Sequence, residues 1–173
     1  MNVLRRAVPL LALAALAAGC MLTSGQFTAT YDLPDPIVVS QNLSESFDVD
    51  LNTVSEYKDH KDEIKRVEDV SLVGEFTNSG ASAAQVEVWL VADTSLPVGL
   101  QPSGVRLWGP LTVAGNSTEK VGWDRSASLF VGRQALIDEV KGDGHFRLYV
   151  AVDNGSNVTL TKGSLIVVVG AAV

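Results

Sequence analysis

Apolar and polar residues alternate along much of the chain, and this period of two is typical of β-strands that bury one face. Phe27, Ala29 and Tyr31, for example, alternate with two threonines. The predicted strands lie at 27–31, 37–39, 47–51, 70–76, 86–92, 105–107, 111–113 and 146–152. Turn-forming Asn, Gly, Ser and Pro residues separate these segments. The uninterrupted apolar run from Leu165 to Val169 predicts one further strand, buried on both faces.

Two segments depart from the alternation and predict short helices. Thr53 and Glu56 have the spacing of a capping box, and the apolar positions in 54–67 fit a one-faced helix of about three turns. A second helix is predicted around 129–140, where Gly142 provides a stop. Many short strands with one or two short helices favour a mainly β fold, an antiparallel two-layer β-sandwich.

The first nineteen residues have the composition of a targeting segment. Arg5 and Arg6 precede the uncharged stretch 7–19, and a basic start followed by such a stretch is typical of a secretory signal peptide. A helix of that length rises only about 20 Å, which is short of a hydrocarbon core of roughly 30 Å. We therefore expect residues 1–19 to be a signal peptide and not a membrane-spanning helix.

The segment Leu16-Ala17-Ala18-Gly19-Cys20 resembles the lipobox of bacterial lipoproteins, although Ala17 stands where that family more often has Leu. The resemblance implies cleavage before Cys20 and attachment of acyl chains, palmitate among them, to that Cys. It also implies export to the outer membrane of the cell envelope, because no Asp follows the Cys. Residues 20–25 would then be the lipidated Cys and a short tether. We expect residues 26–173 to fold alone as a single soluble, β-rich, monomeric sandwich domain.

The residue composition limits the kinds of site and partner that this domain can have. The chain has 173 residues, a single Cys and two His, which excludes an intramolecular disulfide, a Cys-based zinc site and a His-rich metal site. Its net charge is −7, and loss of Arg5 and Arg6 with the signal peptide makes it −9. That balance argues against nucleic acid as a partner, because phosphate binding needs clustered Lys and Arg. We expect no cofactor, and an envelope protein as the partner besides the membrane.

Asp48, Asp50 and Asn52 are the candidate calcium ligands, in a chain that otherwise predicts no metal site. Oxygen side chains occupy positions 1, 3, 5, 9 and 12 of the window 48–59, which is similar to the spacing of an EF-hand loop. Thr53 occupies the sixth position, where the loop needs Gly for its sharp turn. The alternation at 47–51 also predicts a strand here. The acidic segment 45–69 is interpreted as a solvated helix face, with an acidic docking face for a basic partner as the alternative.

The sequence contains no motif of a known catalytic type. His60 lies in a charged segment and His145 follows a Gly-rich turn, so we expect a surface residue and a turn residue. We expect Trp89, Trp108 and Trp123 to pack in the core and at its rim, with a sugar-stacking platform as the alternative. The sequence therefore predicts a non-enzymatic binding or structural module. The alternatives are a carrier of an apolar ligand between the sheets and a hydrolase that uses either His.

Overall fold

A computed structural model describes residues 24–40, 44–92, 104–153 and 157–172. The strands in these ranges are β1 (Ser24–Asp32), β2 (Ile37–Ser40), β3 (Ser44–Asp50), β4 (Ile64–Asn78), β5 (Ala84–Val91), β6 (Val105–Val113), β7 (Ser117–Val121), β8 (His145–Val152) and β9 (Asn157–Ala172). The α-helices are α1 (Ser55–His60), α2 (Trp123–Ala127) and α3 (Arg133–Lys141). Single 3₁₀ turns at Leu51–Thr53 and Lys61–Glu63 flank α1.

The strands form two antiparallel sheets. The five-stranded sheet has the order β1-β9-β4-β7, and β2 pairs with β9 beyond the end of β1. The four-stranded sheet has the order β3-β8-β5-β6. This arrangement confirms the predicted mainly β fold and the antiparallel two-layer sandwich; the described residues contain three short α-helices, where the sequence predicts one or two.

The core lies between the two sheets and consists of the inward positions of nearly every strand. The five-stranded sheet contributes Val70, Leu72, Phe76, Leu165 and Val167, and the four-stranded sheet contributes Val86, Val88, Leu107, Phe146 and Leu148. Trp108 on β6 stacks on Phe76 of β4, with ring centroids 5.6 Å apart and planes 16° from parallel. The two layers are therefore joined by aromatic packing as well as by aliphatic side chains.

The C-terminal apolar run forms a strand, as predicted, but the prediction that both of its faces are buried is wrong. The run belongs to β9, which is a central strand between β1 and β4. Leu165, Val167 and Val169 are fully buried, whereas Ile166 and Val168 are half-buried on the outer face. A two-layer sandwich buries only the inner face of each sheet, so even an uninterrupted apolar strand alternates in exposure.

The first predicted helix is wrong in its length. Helix α1 ends at His60, and β4 begins at Ile64. Ile64 and Val67 pair with β9, opposite Ala171 and Val169. Their spacing fits a helix locally, but the ladder with a central strand decides their conformation.

The capping box is also absent. Val54 precedes α1 and provides no side-chain cap. The Thr53 hydroxyl donates instead to the carbonyl oxygen of Asp50, at 2.7 Å. The Glu56 carboxylate accepts a hydrogen bond from the Ser55 hydroxyl at 2.8 Å. The local hydroxyl groups therefore close the preceding 3₁₀ turn and leave the start of α1 uncapped by a side chain.

Several element boundaries differ from the pattern in the sequence. The two segments 105–107 and 111–113 belong to one continuous strand, β6. The pattern predicts neither β7 nor α2, because β7 has a single large apolar residue, Val121, and α2 is only five residues long. The second predicted helix exists as α3, which begins at Arg133, later than expected.

Candidate attachment end and binding surfaces

The N-terminal strand enters the fold at one end of the sandwich. Strand β1 pairs with β9 along its whole length, from Ser24 opposite Ala172 to Asp32 opposite Ser164. The strand therefore includes residues 24 and 25, which the sequence analysis places in the tether. Cys20 and the lipobox-like segment lie outside the described residues. Only residues 21–23 separate Cys20 from β1, and this length of chain reaches about 14 Å at most.

His60 lies on α1, beside the N-terminal half of β1. Its ring centroid is 5.2 Å from that of Phe27 on β1. Its Nδ1 atom lies 3.1 Å from a carboxylate oxygen of Glu63, and about half of the His60 side chain is exposed. These contacts place His60 on the surface, as predicted, between an aromatic ring and a carboxylate.

The candidate calcium ligands point at nitrogen donors. Asp48 and Asp50 are two residues apart and lie on the same face of β3, opposite Arg147 and His145 of β8. Both carboxylate oxygens of Asp48 accept from Arg147, at 2.6 and 3.1 Å. Asp50 Oδ1 accepts from the backbone N–H and the side-chain amide of Asn52, at 3.0 and 2.8 Å.

These hydrogen bonds also set the acidity of the two carboxyl groups. The Arg147 hydrogen bond lowers the pKa of Asp48 below its ordinary value, and the Asn52 side-chain amide does the same for the pKa of Asp50. In the described part of the chain, no group of three or more His, Cys, Asp and Glu side chains could hold a metal ion. The Asp48, Asp50 and Asn52 positions thus form a hydrogen-bonded strand end in this structure.

His145 begins β8 directly after Gly144, whose φ of 74° favours glycine. The backbone N–H of His145 donates to the Asp143 carboxylate at 2.9 Å, and its side chain is exposed. This is the turn position that the sequence predicts. The carboxylates beside it belong to Asp143 and to Asp50 across the strand pair.

The three tryptophans lie in three different environments. Trp108 is fully buried in the core, as predicted. Trp123, on α2, is half-buried and donates from its indole nitrogen to the Asp69 carboxylate at 3.1 Å. Trp89 is half-buried on the outer face of the four-stranded sheet. A single stacking platform made of all three is therefore wrong, because Trp108 is enclosed between the sheets.

Sequence reasoning missed Ser126, a fully buried residue of α2. Its hydroxyl oxygen accepts from the backbone N–H of Leu72 at 2.7 Å and from the indole nitrogen of Trp108 at 3.1 Å. Strand β7 pairs with β4 only from Gly74 onwards, so the preceding edge of β4 needs other partners. Ser126 supplies one of them, and an Arg133–Asp69 ion pair at 3.0 Å ties α3 to the same strand.

The outer face of the four-stranded sheet carries an aromatic and cationic row, which we call the Trp89 face. Trp89 stands between Tyr149 of β8 and Arg106 of β6 in the strand register. Arg106 pairs with Glu87 at 2.8 Å. A surface pocket of about 260 Å³ borders this face. It is lined by Gln85, Glu87, Ala151, Val152 and Asp153. Trp and Arg are enriched at protein interfaces, whereas Tyr149 is buried here and offers little surface to a partner.

A second pocket lies at the edge of the sandwich, between β2 and β3. Its volume is about 300 Å³, and it is lined by Pro34, Pro36, Ile37, Val38, Glu45, Ser46 and Phe47. Most of these side chains are apolar, which suits an apolar ligand better than a charged one. Glu45 is exposed at its rim.

The described helices provide no candidate membrane span, since none combines sufficient length with sufficient apolar character. In comparisons with known proteins, no family model and no curated protein matches the chain.

Proposed function

We propose that this chain is a lipid-anchored protein of the bacterial cell envelope, held in the outer membrane by acyl chains on Cys20, with a non-catalytic β-sandwich that acts as a binding module. The observation that supports the proposal best is the position of β1. This strand starts at Ser24 and pairs with the central strand β9 over nine residue pairs. A lipid on Cys20 would therefore be joined to the core of the domain through a connection of three residues.

The energetics of lipid insertion support the anchor. Each CH₂ group buried in the bilayer contributes about 0.8 kcal/mol, so two or three acyl chains hold a protein firmly where one does not. The tether of residues 21–23 keeps Ser24 within about 14 Å of the lipidated residue. The domain would thus stay close to the leaflet without any apolar surface of its own entering the bilayer.

The binding role is supported by the Trp89 face. Interfaces depend on a few Trp, Tyr and Arg residues. The half-buried Trp89 and the exposed Arg106 are neighbours in the strand register, beside the buried Tyr149. The ion pairs of Arg106 with Glu87 and of Arg147 with Asp48 hold the surrounding side chains in place. Such a preordered face suits a protein partner in the envelope, because little side-chain entropy remains to be lost on binding.

The experiment that tests the anchor is fractionation of cells that express Cys20→Ser. The wild-type chain should sediment with membranes after a high-salt wash, whereas Cys20→Ser should move to the soluble fraction. Thr23→Ser is the matched control, because it introduces the same residue in the same segment and should stay with the membranes. Retention of Cys20→Ser in the washed membranes would show that something other than lipid attaches the protein.

A carrier of an apolar ligand is the second candidate function, and the pocket between β2 and β3 favours it. A fluorescent fatty acid should bind to a carrier and should lose that binding in Val38→Asp, since Val38 lines the pocket and is half-exposed there. A binding module without carrier activity predicts no saturable binding in either protein.

A further inference from the structure

Strand β1 is an open edge of the five-stranded sheet. It pairs with β9 on one side, and within the described ranges no hydrogen bond reaches its other backbone edge. Parts of two other edges of the fold are covered. The backbone of Leu129 accepts from Gly109 of β6, and Ser126 accepts from Leu72 of β4. A strand of nine residues with free N–H and C=O groups is a template for another strand.

The side chains of β1 do nothing to prevent such pairing. Native edge strands are commonly protected by Lys, by Pro or by an inward-pointing charge. From Ser24 to Tyr31 the strand has none of these, and Asp32 at its end is its only charged residue. Thr28 and Thr30 are exposed on the outer face, and Phe27 and Tyr31 on the inner face are only half-buried. An added strand would therefore cover both backbone groups and aromatic surface.

We propose that β1 pairs in antiparallel fashion with β1 of a second copy of this chain, about a two-fold axis at Thr28. Thr28 is the central residue of the nine, so complete overlap places it opposite its own counterpart. The same register places Gln26 opposite Thr30. The interface is isologous, as in most homodimers, and it joins the two five-stranded sheets into one continuous sheet.

We favour a second copy as the occupant because β1 can pair with itself without placing like charges opposite each other. The chain carries a net charge of −7, so most surfaces of two copies repel each other. The segment Ser24–Tyr31 is neutral, and the antiparallel register places Asp32 opposite Ser24 instead of opposite a second carboxylate. A basic strand of another protein would find no complementary charge along these eight residues.

The proposed dimer differs from the monomer that the sequence predicts. The sequence pattern predicts a strand at 27–31. Only the strand order shows that this strand lies at an edge of the five-stranded sheet. In the dimer, the two Ser24 residues are about 27 Å apart along the strands. If the proposed lipid anchor is correct, both lipids enter one bilayer when β1 lies along the membrane surface. The pairing itself does not depend on the lipid.

Disulfide cross-linking of the full chain in its membranes tests the pairing. Thr28→Cys should give a covalent dimer on mild oxidation, because residues directly opposite in an antiparallel pair have Cα atoms roughly 4.5–5.5 Å apart. Thr118→Cys is the matched control, since Thr118 is also an exposed threonine on an edge strand of the same sheet, and it should give no dimer. Absence of the Thr28→Cys dimer, or equal cross-linking of Thr118→Cys, would overturn the proposal.

The register has its own test. Thr30→Cys alone and Gln26→Cys alone should not cross-link, because each residue is about 13 Å along the strand from its counterpart in the second copy. A mixture of the two variants should cross-link. Cross-linking of Thr30→Cys with itself would show a different register and would contradict the axis at Thr28.

A charge exchange tests the contact without a covalent bond. Two differently tagged copies of the full chain should copurify in detergent, and Thr28→Lys in both copies should abolish copurification, because like charges directly opposite repel. Thr28→Lys in one copy and Thr28→Glu in the other should restore it. Since the Thr28 side chain is exposed, neither change disturbs the core, and circular dichroism checks that both variants fold. Failure of the mixed pair to recover would contradict direct opposition at Thr28.

Discussion

Val167 and Val168 are adjacent residues of β9 that test directly how the sandwich buries its central strand. Val167 is fully buried between the sheets, whereas Val168 is half-buried on the outer face. We expect Val167→Ala to destabilise the domain much more than Val168→Ala. The two substitutions are otherwise matched, because they remove the same atoms and change β-propensity equally in the same strand.

The magnitude follows from the burial. Truncation of valine removes two carbon atoms, each worth about 0.8 kcal/mol when buried. The unfilled space that remains brings the loss for Val167→Ala to about 2–3 kcal/mol, while Val168→Ala should lose about 1 kcal/mol. In a domain of this size, 1 kcal/mol shifts Tm by about 2–4 °C, so Val167→Ala should lower Tm by about 4–12 °C.

Urea unfolding followed by tryptophan fluorescence measures the difference, because Trp108 is buried in the core and reports its exposure to water. The Cys20→Ser background keeps the lipid out of the assay. Both variants should keep the wild-type m-value, which indicates that the same surface is exposed on unfolding. Equal losses in the two variants, or a larger loss in Val168→Ala, would refute the assignment of inner and outer faces on β9.

Three further perturbations test other parts of the fold. Ser126→Ala leaves two buried N–H donors without an acceptor and should cost about 2–4 kcal/mol in urea unfolding, whereas Ser128→Ala, on the exposed side of the same turn, should cost less than about 1 kcal/mol. Asp48→Asn should lower Tm at pH 7. The arginine hydrogen bond lowers the pKa of Asp48 in the folded state, so its contribution is present above the ordinary pKa and is lost as the pH falls through the lower folded value. The Tm difference between Asp48→Asn and the wild type should accordingly vanish in acid, and a constant difference would contradict the pairing. Deletion of residues 165–173 removes half of the central strand and should abolish the cooperative thermal transition expected of the full chain, whereas an unchanged midpoint would place this segment outside the core.

The strands with strict alternation could be predicted from the sequence, and β5 and β8 show why. Their inward positions are mostly Val, Leu and Phe, and most of their outward positions are polar or aromatic, so the period of two is visible without any neighbour. Strand β7 lacks this signal because a polar edge strand is held mainly by its ladder with β4. Ile64 and Val67 are predicted to be helical but lie in a strand. Their spacing fits a helix, whereas their pairing with β9 decides their conformation.

The candidate surfaces depend on contacts between residues far apart in the chain. Ser126 lies 54 residues from Leu72, and nothing in its local sequence marks it as an acceptor for a strand edge. The spacing of acidic residues predicts the candidate calcium ligands. Arg147, which donates a hydrogen bond to Asp48, lies 99 residues away in the chain, so the sequence does not show this pairing. The open edge of β1 likewise follows from strand order. Only the attachment at Cys20 rests on a local motif, and that motif lies outside the described residues.

We propose that lipid on Cys20 holds the sandwich at the membrane. Mass spectrometry of the N-terminal peptide, taken from protein purified in detergent out of Gram-negative cells, measures this directly. The account predicts a mature chain that begins at Cys20, lacks residues 1–19 and carries acyl chains on its first residue. A mature chain that retains residues 1–19, or one whose Cys20 carries no lipid, would contradict it.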